Sequence, residues 1–444
     1  MNETSHPWGA ARALLAALLL GYAWRLQDLF PVVDPLKPVT LATGAFLIVL
    51  LLDRRLPAEF VTVARRPPAL FGVILGALAF AGVPFSLYPG MSLSFALQNV
   101  LPAVVLMIGI AAAIEYSLDA YRLSAVHVIG ALVFSVVVLT RYNVGPDGRL
   151  GDLAYYDANG LGFILVCALP LTEWCAQHSI RREARLGALA AIAVLLVTIV
   201  RTGSRGAFLG LAAVVAYGVF ANRSAPLRRR FGLALLSGLL LVGAGGKNYW
   251  TMMDTILHPT QDYNWEGNSE GGRMSVWKRG IGYMIDRPLT GVGAGAFSVA
   301  EGTISPLANV QQYGVGLKWS VAHNSFVQVG AELGFPGLLA FMALLFVGLG
   351  RARRAVVLGL AVGDRRAAAM GDALAASLVG YAVSGFFLSE GFSALPYSIV
   401  GIAIGLHAAL TRQASGALQV APASVAVPEI GRAAIEWSAW NSDA

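Results

Sequence analysis

The chain has 444 residues, of which 57% are hydrophobic and only 13% are charged, and its mean hydropathy is +0.65. This composition excludes a soluble globular protein, in which about 25% of the residues are charged. The net charge of +7 at neutral pH does not indicate a nucleic-acid partner, because the positions of the basic residues follow a membrane topology. The composition therefore predicts a polytopic membrane protein.

About twelve apolar segments approach the roughly 20 residues that a membrane-spanning helix needs. The first segment has no small-residue cleavage site after its apolar core, so we expect a retained signal anchor. The predicted fold class is an all-α polytopic membrane protein with about 12 transmembrane helices. The segments are residues 9–26, 38–52, 68–84, 93–114, 122–140, 158–174, 186–200, 206–221, 229–246, 324–350, 367–388 and 392–410.

The basic residues alternate between the predicted connections. Arginines fill the even-numbered connections and are sparse in the short odd-numbered ones, which is the pattern expected for a cytoplasmic N-terminus and C-terminus. The chain then divides into transmembrane helices 1–9 in residues 1–246, one large outer segment at 247–322, transmembrane helices 10–12 in 323–411 and a cytoplasmic tail at 412–444 that we expect to be mobile. Arginines of the outer segments oppose this bias and need another explanation.

The large outer segment contains the stretch "RMSVWKRGIGYMIDRPLTGVGAGAF". Its apolar residues Met274, Trp277, Ile281 and Met284 recur at helical spacing until Pro288 ends the pattern. The spacing predicts an amphipathic helix near the outer membrane interface, where it would cover a site.

Two other features of this segment leave alternatives open. The acidic stretch with Asp262, Glu266 and Glu270 could bind a divalent cation, although a solvated loop is the simpler interpretation. The glycines at 291, 293 and 295 suit either a flexible hinge or a simple turn.

The stretch "RTGSRGAFLG" joins the seventh predicted span to the eighth at the outer face. Ser204, Arg205 and Gly206 open a helix whose free N-terminal amides, together with the guanidinium groups of Arg201 and Arg205, predict an anion site. Phosphate is the usual ligand of this combination. The alternative is that an arginine only reaches lipid headgroups.

The stretch "VAHNSFVQVGAELGFPGLL" opens the tenth predicted span. His323 precedes Asn324 at the outer end of that helix, and its unperturbed pKa near 6.5 suits a general base. A capping or interfacial histidine is the alternative. The two cysteines, Cys167 and Cys175, are not expected to form a disulfide, and the sequence has no Cys or His metal-binding cluster.

Four stretches together, in order and spacing, resemble the signature of the O-antigen ligases and O-antigen polymerases, a superfamily of bacterial inner-membrane glycan transferases. The resemblance covers about residues 150–345. The stretches are "YYDANGLGFILV", "RTGSRGAFLG", "GGRMSVWKRGIGYMIDRPLTGVGAGAF" and "HNSFVQVGAELGFPGLL".

The resemblance implies roles for particular residues. The implied catalytic residues are His323, Arg205 and Arg273. The implied pyrophosphate-binding residues are Arg201, Ser204, Arg205 and Arg273. The expected supporting residues are Asn159, Asn324 and Trp277.

The resemblance also implies a GT-C-like fold, a site that faces the periplasm, and catalysis without a metal or other cofactor. The implied donor is a glycan on undecaprenyl pyrophosphate and the implied acceptor is lipid A-core, with membrane lipid as a further partner. An O-antigen polymerase would extend lipid-linked repeat units instead. The single large outer segment resembles ligases more than polymerases.

Two other protein classes fit the sequence less well than the glycan transferases do. A secondary transporter usually needs acids buried in mid-membrane, whereas Glu115, Glu173 and Glu390 fall near the predicted span ends. An intramembrane serine protease would need Ser204 and His323 as a pair, but the sequence around Ser204 matches no nucleophile motif.

Overall fold

The computed structural model describes residues 9–143, 145, 149–150, 157–259, 262, 264–265, 270–308 and 319–420. Apart from an isolated β-bridge at Leu150, all regular secondary structure among these residues is helical, which confirms the predicted all-α class. The first α-helices are α1 (Ala10–Leu18), α2 (Leu26–Leu29), α3 (Pro38–Leu52), α4 (Leu56–Ala64), α5 (Ala69–Ala81), α6 (Pro89–Phe95), α7 (Leu101–Ala113) and α8 (Ser117–Arg141).

The remaining α-helices carry the stretches that the sequence singles out. Short π-helical turns extend α1 at Leu19–Ala23 and join α6 to α7 at Ala96–Val100. A third π-helical turn, Tyr217–Ala221, extends α11. The helices are α9 (Ala158–His178), α10 (Arg182–Thr202), α11 (Arg205–Ala216), α12 (Leu227–Ala244), α13 (Lys247–Asp254), α14 (Arg273–Asp286), α15 (Phe297–Thr303), α16 (Ser325–Ala361), α17 (Arg365–Gly385) and α18 (Ala394–Val420).

Each of the twelve predicted spans coincides with a helix of the structure. In the described part of the chain, seven helices are long and apolar enough to cross a membrane, or up to nine if two sharply bent helix pairs each count as one span. The three others, Ala10–Ala23, Pro38–Leu52 and Arg205–Ala221, are shorter apolar helices. The protein is therefore an all-α polytopic membrane protein.

The core lies around α9, α16, α17 and α18. Helix α9 packs against α8, α10, α11 and α17, and almost its whole length is buried. Helix α16 packs against α5, α14, α17 and α18. Because α9, α10 and α11 run antiparallel in turn, Asp157, Arg201 and Arg205 come to the same end of this core.

Helix α16 is broken at Gly334, whose φ of 69° and ψ of −170° are not helical. Pro336 follows two residues later and has no backbone N–H, so the carbonyl of Glu332 loses its helical partner. In a membrane such a freed carbonyl must find another donor within the protein.

The glycine-containing turn after α14 supplies the missing hydrogen bonds. Gly291, Gly293 and Gly295 all have positive φ, and they bring their backbone against the break of α16. This segment is therefore packed into the core. Of the two interpretations of its glycines, the structure favours a simple turn over a flexible hinge. The hydrogen bonds are Val292 N to Ala331 O at 2.8 Å, Gly293 N to Glu332 O at 3.0 Å and Phe335 N to Pro288 O at 2.9 Å.

The structure contains the predicted helix of the outer segment as α14. Of its predicted apolar face, Trp277 is buried and Met274 and Met284 are half-buried, but the prediction was wrong for Ile281. The buried residues are Val276, Trp277, Gly280 and Tyr283, whereas Ile281 is exposed. Glycine has no apolar side chain, so Gly280 does not contribute to the apolar pattern of the sequence. Its missing side chain nevertheless allows Val327 and Phe297 to approach the helix backbone. Close approach at this glycine rotates the buried face away from Ile281.

The last helix is longer than the predicted span. Helix α18 continues to Val420, and Arg412 donates to the carbonyls of Ile114 and Glu115 at 2.9 and 3.1 Å. The predicted mobile tail therefore begins with an anchored helical segment, and the rest of that prediction, residues 421–444, lies outside the described residues. Both cysteines are buried and free, as expected.

Candidate active site

The turn between α10 and α11 is fixed by its own side chains. Gly203 ends α10 with a φ of 58°, a conformation that glycine adopts without strain. Ser204 is the N-cap of α11, and its Oγ accepts a hydrogen bond from Ala207 N at 3.2 Å. Ser204 is buried. Its contribution to the predicted anion site is therefore to set the direction of α11.

Arg205 points from the first turn of α11 towards the large outer segment. Its Nη1 donates to Thr255 Oγ1 at 2.8 Å and forms an ion pair with Asp262 Oδ2. The Asp262 side chain is only 7% exposed. The acidic stretch was expected to be either a cation site or a solvated loop. Asp262 fits neither description, because its carboxylate is buried against an arginine. Glu266 lies outside the described residues.

A short series of hydrogen bonds connects Arg205 to the start of α14. Asp262 Oδ1 accepts from the backbone N of Asn264 at 2.9 Å, and the carbonyl of Asn264 accepts from Met274 N at 3.2 Å. Arg273 is the first residue of α14 and precedes Met274 directly. The structure thus joins the two segments that carry Arg205 and Arg273.

His323 lies between the outer segment and α16. Its backbone N donates to Ser389 Oγ at 2.8 Å, and its φ is 48°, which is uncommon for a residue other than glycine. Trp277 Nε1 donates to the carbonyl of Ala322 at 3.0 Å, so α14 holds the residue that precedes the histidine. Trp277 is a structural support of the His323 backbone.

The charges near His323 act on its pKa in opposite directions. Burial lowers the pKa of the imidazole below 6.5, the positive charge of Arg273 lowers it further, and the negative charge of Asp157 raises it. Arg273 and Asp157 are therefore near His323. The balance favours the neutral imidazole at neutral pH, which is the form that accepts a proton.

Asn159 and Asp157 lie at the start of α9 and connect it to the arginine-containing turn. Asp157 is the N-cap of α9, and its Oδ2 accepts from Asn159 Nδ2 at 3.1 Å. Asn159 Oδ1 accepts from Arg149 Nη2 at 2.8 Å, and Arg149 Nε donates to the carbonyl of Thr202 at 3.2 Å. Asn159 is thus one link between α9 and the end of α10.

Four aromatic side chains fill the space between these segments. Trp277 contacts Trp265 and Phe386 with ring centroids 5.4 and 5.1 Å apart, and Trp265 contacts Phe387 at 6.0 Å. Phe387 also packs on Gly206, where a Cβ atom would lie 3.0 Å from the Phe387 Cβ. The aromatic cluster holds the first turn of α11 against the outer segment.

The predicted site residues fall into three groups. Arg273 is close enough to His323 to lower its pKa, and Arg205 is joined to the start of α14 through Asp262 and Asn264. Arg201 is exposed at the end of α10, and its guanidinium makes no hydrogen bond or ion pair with the described residues. Asn324 is buried as the N-cap of α16, with its Oδ1 accepting from Phe326 N and Val327 N.

The residues that the sequence missed are those that pair with the predicted ones. Asp157 precedes Asn159 by two residues in "YYDANGLG", and Asp262 occurs in a segment in which several arginines needed partners; both signals could have been read. Ser389 and Arg149 gave no such signal, because their partners are distant in sequence. Ser204 Oγ makes no hydrogen bond with His323, so the pair that a serine protease needs is not formed among the described contacts.

This arrangement can bind an anion and accept a proton within one region. Arg201 adds positive charge beside the start of α11, Arg273 adds it near His323, and His323 supplies a neutral imidazole. In the described part of the chain, no three His, Cys, Asp or Glu side chains are grouped so that they could hold a metal ion.

The comparison with known proteins agrees with the resemblance noted in the sequence. A family model described as O-antigen ligase matches residues 190–342, and this segment includes Arg201, Arg205, Arg273 and His323. A search of curated proteins found no match to the chain. Residues 190–342 are therefore similar to the O-antigen ligase family, and this segment holds the four charged or titratable residues of the candidate site.

Proposed function

We propose that the protein is an O-antigen ligase, a glycosyltransferase that moves a glycan from undecaprenyl pyrophosphate to lipid A-core at the periplasmic face of the bacterial inner membrane. The observation that carries the proposal is that Arg205, Arg273 and His323 lie in a segment that matches the O-antigen ligase family, with Arg273 close enough to lower the pKa of His323 and Arg205 linked to the start of α14. The activity contributes to lipopolysaccharide biosynthesis.

The arginines bind the diphosphate of the donor and stabilise it as it leaves. Breaking the bond between the anomeric carbon and the diphosphate oxygen releases undecaprenyl pyrophosphate with additional negative charge. Guanidinium groups stay charged and pair with phosphate through two hydrogen bonds. Arg205 and Arg273 take this role, with Arg201 beside them, and no metal ion is needed.

His323 acts as the general base for the acceptor. A hydroxyl of lipid A-core attacks the anomeric carbon, the imidazole takes the hydroxyl proton, and the diphosphate leaves from the opposite side. One displacement of this kind inverts the anomeric configuration. The lowered pKa of His323 keeps the imidazole neutral and ready to accept the proton.

The test is a reconstitution of the purified protein in lipid with an undecaprenyl-pyrophosphate-linked glycan, excess EDTA, and lipid A-core present or absent. We expect a ladder of modified lipid on a gel only when lipid A-core is present. Longer lipid-linked chains without lipid A-core would identify a polymerase instead, and no product under either condition would favour a transporter. Loss of product in EDTA, restored by Mg²⁺, would contradict the metal-free mechanism.

The matched variants are His323→Ala and His258→Ala. His258 is an exposed histidine of the same outer segment that contacts Asp254. Loss of a general base lowers kcat by about 10²–10⁴-fold, so His323→Ala should lose most activity while His258→Ala keeps it. Equal activity of the two variants would refute the role of His323.

A further inference from the structure

A cavity of about 190 Å³ lies at the end of the helix bundle opposite to the candidate active site. Helices α9, α10, α11 with its π-helical turn, α12 and α17 enclose it. Towards the middle of these helices its walls are apolar, with Leu169, Ile192, Val215 and Leu240 among them. Polar side chains lie at its other end, close to the last turn of α9.

Helix α12 is the outermost wall of this cavity and packs only lightly on the bundle. None of its described side chains is buried, and it packs on α10 and the π-helical turn Tyr217–Ala221. Ala234, Ser237 and Leu240 face the cavity from one side of α12. Leu235 and Leu239, on its other side, are 65% and 61% exposed. Of the helices that line the cavity, α12 is therefore the one that an apolar chain from the membrane would have to pass.

The two connections beside the polar end of the cavity are strongly basic. Residues 179–185 and 222–230 carry seven arginines and one glutamate. Arg229 and Arg230 line the cavity itself. The arginines are Arg181, Arg182, Arg185, Arg223, Arg228, Arg229 and Arg230.

The two acidic residues of the cavity, Glu173 and Asp372, offset only part of the charge of these seven arginines, which we call the basic collar. The carboxylate of Asp372 accepts from Tyr217 OH and from the backbone N–H groups of Arg223 and Ser224, so it is used in holding the 222–225 turn. Glu173 accepts from Gln177 Nε2 at 2.6 Å and lies near Arg229. The excess positive charge at the collar suits an anionic headgroup.

We propose that this cavity binds an anionic phospholipid, with one acyl chain between α10 and α12 and its phosphate at the basic collar. The apolar walls, the loosely packed wall formed by α12 and the charge of the collar each match one part of such a lipid. The site is separate from the candidate active site and does not depend on the proposed glycan transfer.

The experiment measures thermal stability of the delipidated, full-length protein in detergent. Phosphatidylglycerol and phosphatidylcholine with the same acyl chains are added in separate titrations. A ligand that binds the folded protein raises Tm, so phosphatidylglycerol should raise Tm more than phosphatidylcholine does. Equal shifts for the two lipids would overturn the proposal.

Two matched pairs of variants locate the effect. Ala234→Trp fills the cavity, whereas Leu235→Trp adds the same side chain on the exposed face of α12; only the first should abolish the difference between the two lipids. Arg229→Gln should reduce that difference, and Arg54→Gln, at an exposed arginine outside this collar, should not. Arg229→Gln keeps the test decisive if Ala234→Trp does not fold.

A third titration, with undecaprenyl phosphate, distinguishes the alternative occupant. If undecaprenyl phosphate stabilises the protein in a way that Ala234→Trp abolishes, while phosphatidylglycerol does not, the cavity belongs to the polyprenyl chain of the donor and the proposal is wrong. Native mass spectrometry of the same samples should show retained phosphatidylglycerol on the wild type and on Leu235→Trp only.

Discussion

The properties of His323 are set by neighbours that approach it from three separate parts of the chain. Ser389 and the capped start of α16 hold its backbone at a positive φ, a conformation that costs about 1–3 kcal/mol and persists only when the surroundings fix it. Arg273 and Asp157 then act on its imidazole with opposite sign. A histidine held in this way has a defined direction and a defined protonation state.

Arg273→Gln and Asp157→Asn should therefore shift the pH dependence of activity in opposite directions. Activity falls as the pH drops through the pKa of His323, because only the neutral imidazole accepts a proton. Removing the charge of Arg273 raises that pKa, so the acid limb moves to higher pH; removing the charge of Asp157 lowers it, so the limb moves to lower pH.

The measurement is kcat/KM against pH for both variants and the wild type, whose acid limb should lie below pH 6.5. Asparagine is also a good N-cap, so Asp157→Asn keeps the start of α9. Arg273→Gln should also lower kcat by about 10²–10³-fold, as expected when one group that stabilises developing charge is lost. Shifts of the same sign in both variants would contradict this assignment of charges.

Asp262 forms an ion pair with Arg205, although the proposed donor needs the same guanidinium group. The carboxylate is buried, and it reaches Arg205 from the segment that also holds α14. A diphosphate that binds Arg205 must share it with Asp262 or displace it.

We expect Asp262→Asn to lower the KM for the lipid-linked donor, because the competing negative charge is removed while the side chain keeps its size. Steady-state kinetics with varied donor and saturating acceptor would measure this. Asp254→Asn is the control, since Asp254 is an exposed acid of the same segment. A higher KM in Asp262→Asn would mean that the carboxylate positions Arg205 for the donor.

At the scale of the helices, the break of α16 and the turn after α14 form one unit. Gly334 and Pro336 free backbone carbonyls, and the turn at 288–295 supplies the N–H groups that bond them. Gly295 N also donates to Glu332 Oε2 at 2.7 Å, so a buried carboxyl group secures the same turn. The unit places α14, and with it Arg273, against the outer half of α16.

Gly291→Ala should destabilise the protein by at least about 2 kcal/mol. Alanine is strained at a left-handed φ, and its Cβ atom would also clash with backbone atoms. Its φ is 62°, and a Cβ atom there would lie 2.4 Å from the backbone carbon of Glu332. The fall in Tm in detergent measures the effect.

Gly282→Ala in α14 is the control, because nothing lies within 4 Å of its added Cβ. Alanine is the better helix former by about 1 kcal/mol, so Tm should stay or rise. Equal losses in the two variants would show that the packing at the break of α16 is not what requires Gly291.

The whole molecule has two ends with different chemistry. One end brings together Arg201, Arg205, Arg273 and His323, while the other carries the arginine-rich connections and the phospholipid cavity. Positively charged connections stay in the cytoplasm, so the end with His323 is expected to face the periplasm.

Single cysteines introduced at the two ends test this orientation. Leu257→Cys and Ile180→Cys replace side chains that are 78% and 75% exposed, and the native cysteines are buried, so background labelling should be low. An impermeant thiol reagent should label Leu257→Cys once the outer membrane is opened. Ile180→Cys should react only after the inner membrane is broken, and the reverse pattern would invert the topology.

Local sequence determined where the helices lie. Each apolar segment predicts its own helix, because a chain in lipid must satisfy its backbone hydrogen bonds within the segment. The Gly-Ser turn before Arg205 was also predictable, because Ser204 caps α11 by accepting a hydrogen bond from Ala207 N, only three residues further along the chain. The motifs around Arg205, Arg273 and His323 pointed to the family that the comparison then found.

Only the tertiary structure decided which groups meet. The pairing of Arg205 with Asp262, the approach of Asp157 to His323, the buried face of α14 and the bonds that close the break of α16 all join residues far apart in the chain. Apolar periodicity carries no information about such contacts, because it reports how one helix meets an apolar surrounding and not which helix lies beside it. The sequence by itself determined a membrane protein with arginines and a histidine at one end, and packing decided what each of them faces.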